Sequence, residues 1–136
     1  MSAGFRYLPH TADIRFEAWG TTRDECLAQA ARALVDSFVD SSAAAPARTT
    51  TVELDGGDEQ VLLAVLDEII YRLDAEDTVP QDLDVRTTPA GIALTLSEVD
   101  TDQVEFTGAT PKAISLHGFS FVHDDDGWRC AVTVDV

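Results

Sequence analysis

The fold is decided by residues 13–38, which read DIRFEAWGTTRDECLAQAARALVDSF. Residues 13–19 alternate between apolar and mostly polar side chains, a period of two that predicts a half-buried β-strand. The apolar positions of this strand are Ile14, Phe16 and Ala18. After Gly20 the period becomes helical, so the stretch predicts a strand that leads directly into a helix.

Two amphipathic helices are predicted. The first spans about residues 22–38, where Thr22 and Glu25 have the spacing of a capping box that satisfies backbone donors at the helix start. The second spans about residues 58–73 and is expected to be capped by Asp58. Apolar residues repeat at helical spacing in both, so each helix must bury one stripe against a sheet or against the other helix. The stripes are Leu27, Ala30, Ala31, Leu34, Val35 and Phe38 in the first helix, and Leu62, Val65, Leu66, Ile69 and Leu73 in the second.

The remaining chain is predicted to form strands. These are residues 51–54, 83–88, 92–96, 112–122 and 128–134. The last two flank HDDDG at 123–127, and Asp-Gly between alternating runs is a strong hairpin signal. Residues 98–111 show no periodicity and are predicted to be a long acidic loop. The order strand, helix, strand, helix and four strands predicts an α+β fold, with two helices packed on a largely antiparallel or mixed sheet.

Length and charge narrow the classes of function. The 136 residues suit one domain, residues 1–136. They carry 25 acidic and 9 basic side chains, for a net charge of −16, so direct binding of nucleic acid through a basic surface is not expected. No apolar stretch approaches the about 18 residues that a membrane span needs. Residues 1–10 do not resemble a signal peptide, so we expect a cytoplasmic protein.

The two cysteines carry no motif. Cys26 and Cys130 lack the CxxC spacing of redox and zinc sites, and we expect both to be buried free thiols. The cluster Asp124–Asp126 lacks the spaced ligands and the distal Glu of an EF-hand. We interpret it as turn chemistry rather than a metal site.

Two carboxylates stand at predicted strand ends. Asp13 opens the first strand and Asp135 closes the last one, although Asp is disfavoured in strands. If these strands are neighbours, the two carboxylates converge. Together with main-chain carbonyls they would form a hard oxygen site for calcium, magnesium or manganese. The alternative is that each carboxylate lies at a strand end in solvent.

Lys112 is the only lysine in the chain. It is either a solvated residue that pairs with a nearby carboxylate or a positive group for a partner or a phosphate. We expect its stem to pack beside Ile114 and Leu116 while the ammonium group reaches solvent. The histidines His10, His117 and His123 are far apart in sequence and form no recognised ligand pair.

Several motifs resemble those of the archease family. They are YLPHTADI at 7–14, WGT at 19–21 before an Ala-rich helix, the helix that ends in LD at 73–74, PKAISLHG at 111–118, and VTVDV at 132–136. They occur in the family's order and extend over the whole chain.

The resemblance implies an accessory protein of RtcB-type tRNA-splicing ligases. Archeases promote guanylylation of the ligase's active-site histidine with GTP and allow multiple turnover, without joining RNA themselves. They bind a divalent metal, often calcium. Carried over, Asp13 and Asp135 are implied metal carboxylates with Val136 as a main-chain ligand, and Lys112 is implied to be the family's functional lysine near the metal. His10 and His117 match family positions and are assigned to the same partner or activation site.

The chain departs from the family pattern in two places. Thr110-Pro111 replaces the usual Glu-Val before the lysine, so the strand is expected to begin at Lys112 or to pair on one side only. The family's basic loop before that strand is acidic here. An alternative function is a chaperone-like adaptor that shields a basic tRNA-modifying enzyme, such as a tRNA methyltransferase. A metal-dependent hydrolase is a third hypothesis, for which the sequence offers no sharp constellation of base and nucleophile.

Overall fold

The structure is a computed structural model that describes residues 2–8 and 13–136. Its helices are α1 (Arg23–Asp36) and α2 (Asp58–Glu76). Its strands are β1 (Gly4–Leu8), β2 (Ile14–Gly20), β3 (Val39–Asp40), β4 (Arg48–Asp55), β5 (Thr78–Thr87), β6 (Gly91–Asp100), β7 (Glu105–Phe106), β8 (Ala113–Asp124) and β9 (Gly127–Asp135). A short 3₁₀ helix, Thr101–Gln103, separates β6 from β7.

The strands form antiparallel sheets. The larger sheet has four strands in the order β1-β2-β9-β8, the second has three in the order β4-β6-β5, and β3 pairs with β7 as a short ribbon. Helix α1 packs on β2 and β5, and α2 packs on α1 and β8, so the helices join the two sheets. The predicted α+β class with two helices on antiparallel sheet is confirmed, although the strands divide between separate sheets.

Both helices occur where the sequence predicts them. The Glu25 N–H donates to the Thr22 hydroxyl at 3.1 Å, and the predicted apolar stripes are fully or almost fully buried. The cap of α2 differs from the prediction: the N-cap is Gly57, whose N–H donates to the Gln60 side chain at 2.8 Å. No helix within the described part of the chain is long and apolar enough to cross a membrane.

The cysteines are both buried and free, as predicted. Cys130 lies opposite Ala18 in the β2–β9 pair, and the Cys26 thiol donates to the Ala18 carbonyl at 3.5 Å. The neighbouring Cys130 thiol, together with burial, raises the pKa of the Cys26 thiol. The two thiols are therefore part of the packed core beneath the four-stranded sheet.

The prediction of an irregular loop over residues 98–111 is wrong at its start. Strand β6 continues to Asp100, and Glu98 is completely buried. Its carboxylate accepts four hydrogen bonds: from Arg48 Nε at 3.2 Å, Thr50 Oγ1 at 2.6 Å, Arg72 Nη1 at 3.1 Å and Thr78 Oγ1 at 2.9 Å. An acidic residue usually indicates solvent exposure, but Glu98 is neutralised and hydrogen-bonded inside the fold.

Strand β1 was not predicted. It adds to the edge of the four-stranded sheet, from Gly4 opposite Trp19 to Leu8 opposite Arg15. A Cβ atom at Gly4 would lie 2.7 Å from the Trp19 ring, so this position has no room for a side chain. The tryptophan therefore covers β1 on the outer face of the sheet.

The predicted hairpin of the last two strands is confirmed, with one irregularity. Its turn is closed by the Asp126 N–H, which donates to Asp124 Oδ1 at 2.9 Å, so the aspartates act as turn residues. Pairing stops after Ser115 and resumes at Ser120. The alternation expected beside Lys112 is wrong for this reason, because Leu116 lies in the bulge and is 67% exposed.

Replacing Leu34 by Asp is expected to destabilise the protein by several kcal/mol. Leu34 is fully buried, and an unpaired carboxylate there would lose its hydration without gaining a partner. Thermal unfolding followed by circular dichroism measures the effect, with Gln29→Asp on the partly exposed side of α1 as the control. Equal melting temperatures for Leu34→Asp and wild type would contradict the assigned core.

Replacing Glu98 by Gln is expected to change how stability depends on pH. Burial alone would raise the pKa of Glu98, but hydrogen bonds from Thr50 and Thr78 and the charge of Arg72 outweigh burial and lower it. The ionised carboxylate therefore stabilises the fold fully above the unfolded-state pKa of about 4.3. This contribution is lost as the pH falls through the lower folded-state pKa.

Breaking this buried pair should cost about 3–5 kcal/mol at neutral pH. The free energy of unfolding of Glu98→Gln should then fall less than that of wild type as the pH drops below about 5. Urea unfolding at a series of pH values measures both effects, with exposed Glu53→Gln as the control. Parallel pH curves for Glu98→Gln and wild type would show that Glu98 is not ionised in the folded protein.

Candidate functional site

The candidate site lies at one end of the four-stranded sheet. Strands β2 and β9 are antiparallel neighbours, so the start of one meets the end of the other. Their last ladder pair at this end is Ile14 opposite Val134. Asp13 directly precedes this pair and Asp135 directly follows it, so the two predicted carboxylate residues flank the same end of the ladder.

Lys112 reaches the same end from the other side of β9. Ala113, the first residue of β8, is paired with Asp135, and the Lys112 N–H donates to the Asp135 carbonyl at 2.8 Å. The strand therefore begins one residue later than predicted, while its first hydrogen bond comes from Lys112. Strand β9 thus holds Asp135 between Asp13, which directly precedes β2, and Lys112, which directly precedes β8.

Alternation along β9 explains how the chain holds this arrangement. Val134 is fully buried, Asp135 is exposed, and Val136 is partly buried and packs against the core. Pro111 is buried on the other side of Lys112, whose own side chain is exposed. Apolar contacts thus fix the backbone on both sides while the two charged side chains stay in solvent.

The histidines lie in different parts of the structure. His117 is exposed and lies in the bulge of β8 between Ser115 and Ser120, and its N–H donates to Ser115 Oγ at 3.2 Å. His10 lies outside the described residues. His123 lies near the turn of the β8–β9 hairpin, opposite Trp128. Its ring stacks on Trp128 with a distance of 4.4 Å between the ring centroids.

One hydrogen-bonded pair beside the site, Tyr7 and Asp36, could not be predicted from the sequence. A cavity of about 440 Å³ has Asp13, Tyr7 and Asp36 in its lining. The Tyr7 hydroxyl donates to Asp36 Oδ2 at 2.8 Å and lies 3.0 Å from the Ala33 carbonyl. Burial, and then the contact with Asp36, raise the pKa of Tyr7. No sequence signal links Tyr7 to Asp36, because they are 29 residues apart and meet only through the packing of β1 against α1.

Comparison with known proteins identifies a family for nearly the whole chain. Residues 5–136 match the archease protein family (MTH1598/TM1083). The chain is 43% identical over 136 residues to a probable archease of Mycobacterium tuberculosis, covering 99% of this chain and 76% of that protein. It is 33% identical to an archease of Archaeoglobus fulgidus, covering 97% of this chain and 98% of that protein.

The chain belongs to the archease family.

Solved structures of the family share the fold. The solution structure of protein 1598 of Methanobacterium thermoautotrophicum superposes with a TM-score of 0.81 at 25% identity, covering 98% of this chain and 99% of that one. The crystal structure of an archease from Thermotoga maritima, described as a possible chaperone, superposes with a TM-score of 0.69 at 19% identity, covering 95% and 94%.

The donor atoms at the sheet end of this archease are chemically suited to a hard cation. Asp13 and Asp135 supply carboxylate oxygens, and Val136 follows with main-chain oxygen; oxygen donors favour calcium, magnesium and manganese over softer metals. Within residues 2–8 and 13–136, no group of three or more His, Cys, Asp and Glu side chains is close enough to hold a metal ion. A cation here would therefore depend on main-chain oxygen and water in addition to the two carboxylates.

Proposed function

We propose that this archease is a metal-binding accessory protein that activates an RtcB-type tRNA-splicing ligase. It would promote guanylylation of the ligase with GTP and allow multiple turnover in the cytoplasm. The observation that carries the proposal is the strand register, which brings the Asp13 and Asp135 ends of β2 and β9 beside Lys112 at the start of β8. Two acidic residues and the only lysine of the chain therefore share one end of the sheet.

Each group has a separate role in the proposal. Asp13 and Asp135 would hold a divalent cation, calcium first and magnesium or manganese as alternatives, with main-chain oxygen of Val136 completing the protein ligands. The bound cation would supply positive charge. Lys112 is a compact charge on a flexible stem, so its ammonium group can reach an anionic group on the ligase complex, such as a phosphate of the nucleotide. His117, in the adjoining bulge, and His10 are proposed to belong to the activation surface.

A second candidate is a chaperone-like adaptor for a tRNA-modifying enzyme such as a tRNA methyltransferase. Two observations favour it: an archease with the same fold is described as a possible chaperone, and the net charge of −16 would shield a basic client. Light scattering of such an enzyme during thermal aggregation separates the two functions. Suppression of aggregation that does not depend on Lys112 would favour the adaptor.

Replacing Asp135 by Asn is expected to weaken calcium binding by about tenfold or more. The variant loses one of two carboxylates, and tenfold corresponds to only about 1.4 kcal/mol. Isothermal titration with calcium, magnesium and manganese measures the affinity and the preference. Asp125→Asn makes the same charge change in the turn at the opposite end of the β8–β9 pair and should alter affinity by less than about twofold. Equal loss in both variants would mean that only the overall charge matters.

Replacing Lys112 by Ala is expected to reduce ligase activation without unfolding the protein. The side chain is exposed, and exposed ion pairs contribute only about 0–1 kcal/mol, so the melting temperature should barely change. Activation should fall about tenfold, since about 1.4 kcal/mol of transition-state or binding energy is enough. Multiple-turnover ligation with the cognate ligase, GTP and metal measures the effect. Arg86→Ala, on the other sheet, is the control, and full activation by Lys112→Ala would remove the lysine from the mechanism.

A further inference from the structure

The outer face of the four-stranded sheet differs from the rest of this acidic chain. Three rows of paired residues cover it between the candidate site and the far end of the sheet. They are Leu8, Arg15, Thr133 and Ser115; Arg6, Glu17, Ala131 and Ser120; and Gly4, Trp19, Arg129 and Val122. We call these rows the arginine face. It carries three arginines and one acid, in a chain where acids outnumber bases by 25 to 9.

Two of the three arginines of this face flank one aromatic ring. The Arg6 guanidinium lies 5.9 Å from the Trp19 ring centroid and donates to Glu17 Oε1 at 3.1–3.2 Å. Arg129 is paired with Trp19 on its other side. Together with Glu17, these residues line a shallow cavity of about 180 Å³. The partly exposed ring thus lies between two arginines that line the same cavity.

Much of the positive charge on this face is not neutralised within the fold. Among the ion pairs of the described residues, none includes Arg129 or Arg15. The buried Nε of Arg15 has no acceptor in the part of the chain that the structure describes. Such a group needs an explanation, because buried donors are almost always paired.

The outer face of the three-stranded sheet provides an internal comparison. Its three corresponding rows are Thr49, Ser97 and Asp82; Thr51, Thr95 and Asp84; and Glu53, Ala93 and Arg86. These residues are mainly small, hydroxylated or acidic, as expected for a sheet face that remains in water. The arginine face instead combines arginine with Trp19, Leu8 and Val122. Aromatic residues and arginine are the residue types enriched in protein interfaces and their hot spots.

We propose that the arginine face docks an acidic surface of the protein that this archease assists. Charge complementarity identifies the partner's chemistry, since unpaired guanidinium groups favour carboxylates in bidentate geometry. A protein is favoured over RNA because three arginines would neutralise few phosphates, whereas arginine beside an aromatic ring is typical of protein interfaces. The face ends one row before Asp13 and Asp135, so a partner docked there would lie beside the candidate site. The identity of the partner rests on the proposed ligase activation.

The test compares charge reversals on the two sheets. The variants are Arg6→Glu combined with Arg129→Glu on the arginine face, Arg129→Glu alone, and Arg86→Glu on the three-stranded sheet as the matched control. Arg129 and Arg86 are both exposed strand residues, so melting temperatures should remain close to wild type. Affinity for the cognate RtcB-type ligase is measured by titration at two salt concentrations.

We expect the double variant to bind the ligase about tenfold more weakly or worse, with a smaller salt dependence, and Arg86→Glu to change affinity by less than about twofold. Lys112→Ala should reduce activation more than it reduces ligase affinity, whereas the double variant should reduce affinity, which distinguishes activation from docking. Equal affinity of the double variant and Arg86→Glu would overturn the docking face and leave the proposed function intact.

If wild type neither binds nor activates the ligase, the proposed function is refuted. A second measurement then tests whether the arginine face binds acidic protein. Short polyglutamate and single-stranded oligouridylate of the same length are titrated against wild type and the double variant. Binding of polyglutamate that is lost in the double variant would support the arginine face as a site for acidic protein. Binding of oligouridylate through these arginines, or no dependence of polyglutamate binding on them, would overturn it.

Discussion

The antiparallel pairing of β2 with β9 is the constraint on which the rest of the structure depends. It joins a strand near the start of the chain to the last strand, from Ile14 opposite Val134 to Gly20 opposite Trp128. Its inner side chains, Phe16 and Val132 among them, are fully buried beneath the helices. A slip of one residue would turn these side chains outward and move Asp135 away from the start of β2. Core packing therefore fixes the register that also assembles the candidate site.

Sequence patterns predict the elements that depend on residues close to one another in the chain. The two helices follow from apolar spacing, and the β8–β9 hairpin follows from Asp-Gly chemistry. The sequence could not show that β6 continues through Glu98, because Arg48 and Arg72 lie 50 and 26 residues away and only the fold brings them together. Strand β1 could not be predicted because its five residues are too few to show a clear periodicity. It is a strand because it pairs with β2. The convergence of Asp13 and Asp135 was predicted only on the condition that their strands are neighbours, which the ladder establishes.

The two sheets show how charge is used in this fold. Glu98 belongs to the three-stranded sheet, and its side chain is fully buried. Hydrogen bonds from two arginines and two threonines compensate for its lost hydration. On the four-stranded sheet the arginines Arg15 and Arg129 face outward without such partners in the described residues. A net charge of −16 describes the average surface and hides this local reversal of sign. Stability therefore depends on Arg48 and Arg72 around Glu98, whereas the proposed recognition would depend on arginines of the four-stranded sheet, so the two can be altered separately.

The proposed docking face and the proposed cation site are electrostatically linked by their spacing. Asp13 lies two residues before Arg15, just outside β2, so their Cα atoms are at most about 7 Å apart, which is shorter than the about 8 Å screening length at physiological salt. An acidic partner attracted by the arginine face would be repelled by the carboxylates at its end. A divalent cation on Asp13 and Asp135 would cancel that repulsion and extend the positive surface toward Lys112. In this arrangement the cation would strengthen docking as well as organise the proposed activation site, because both effects would arise from the same two carboxylates.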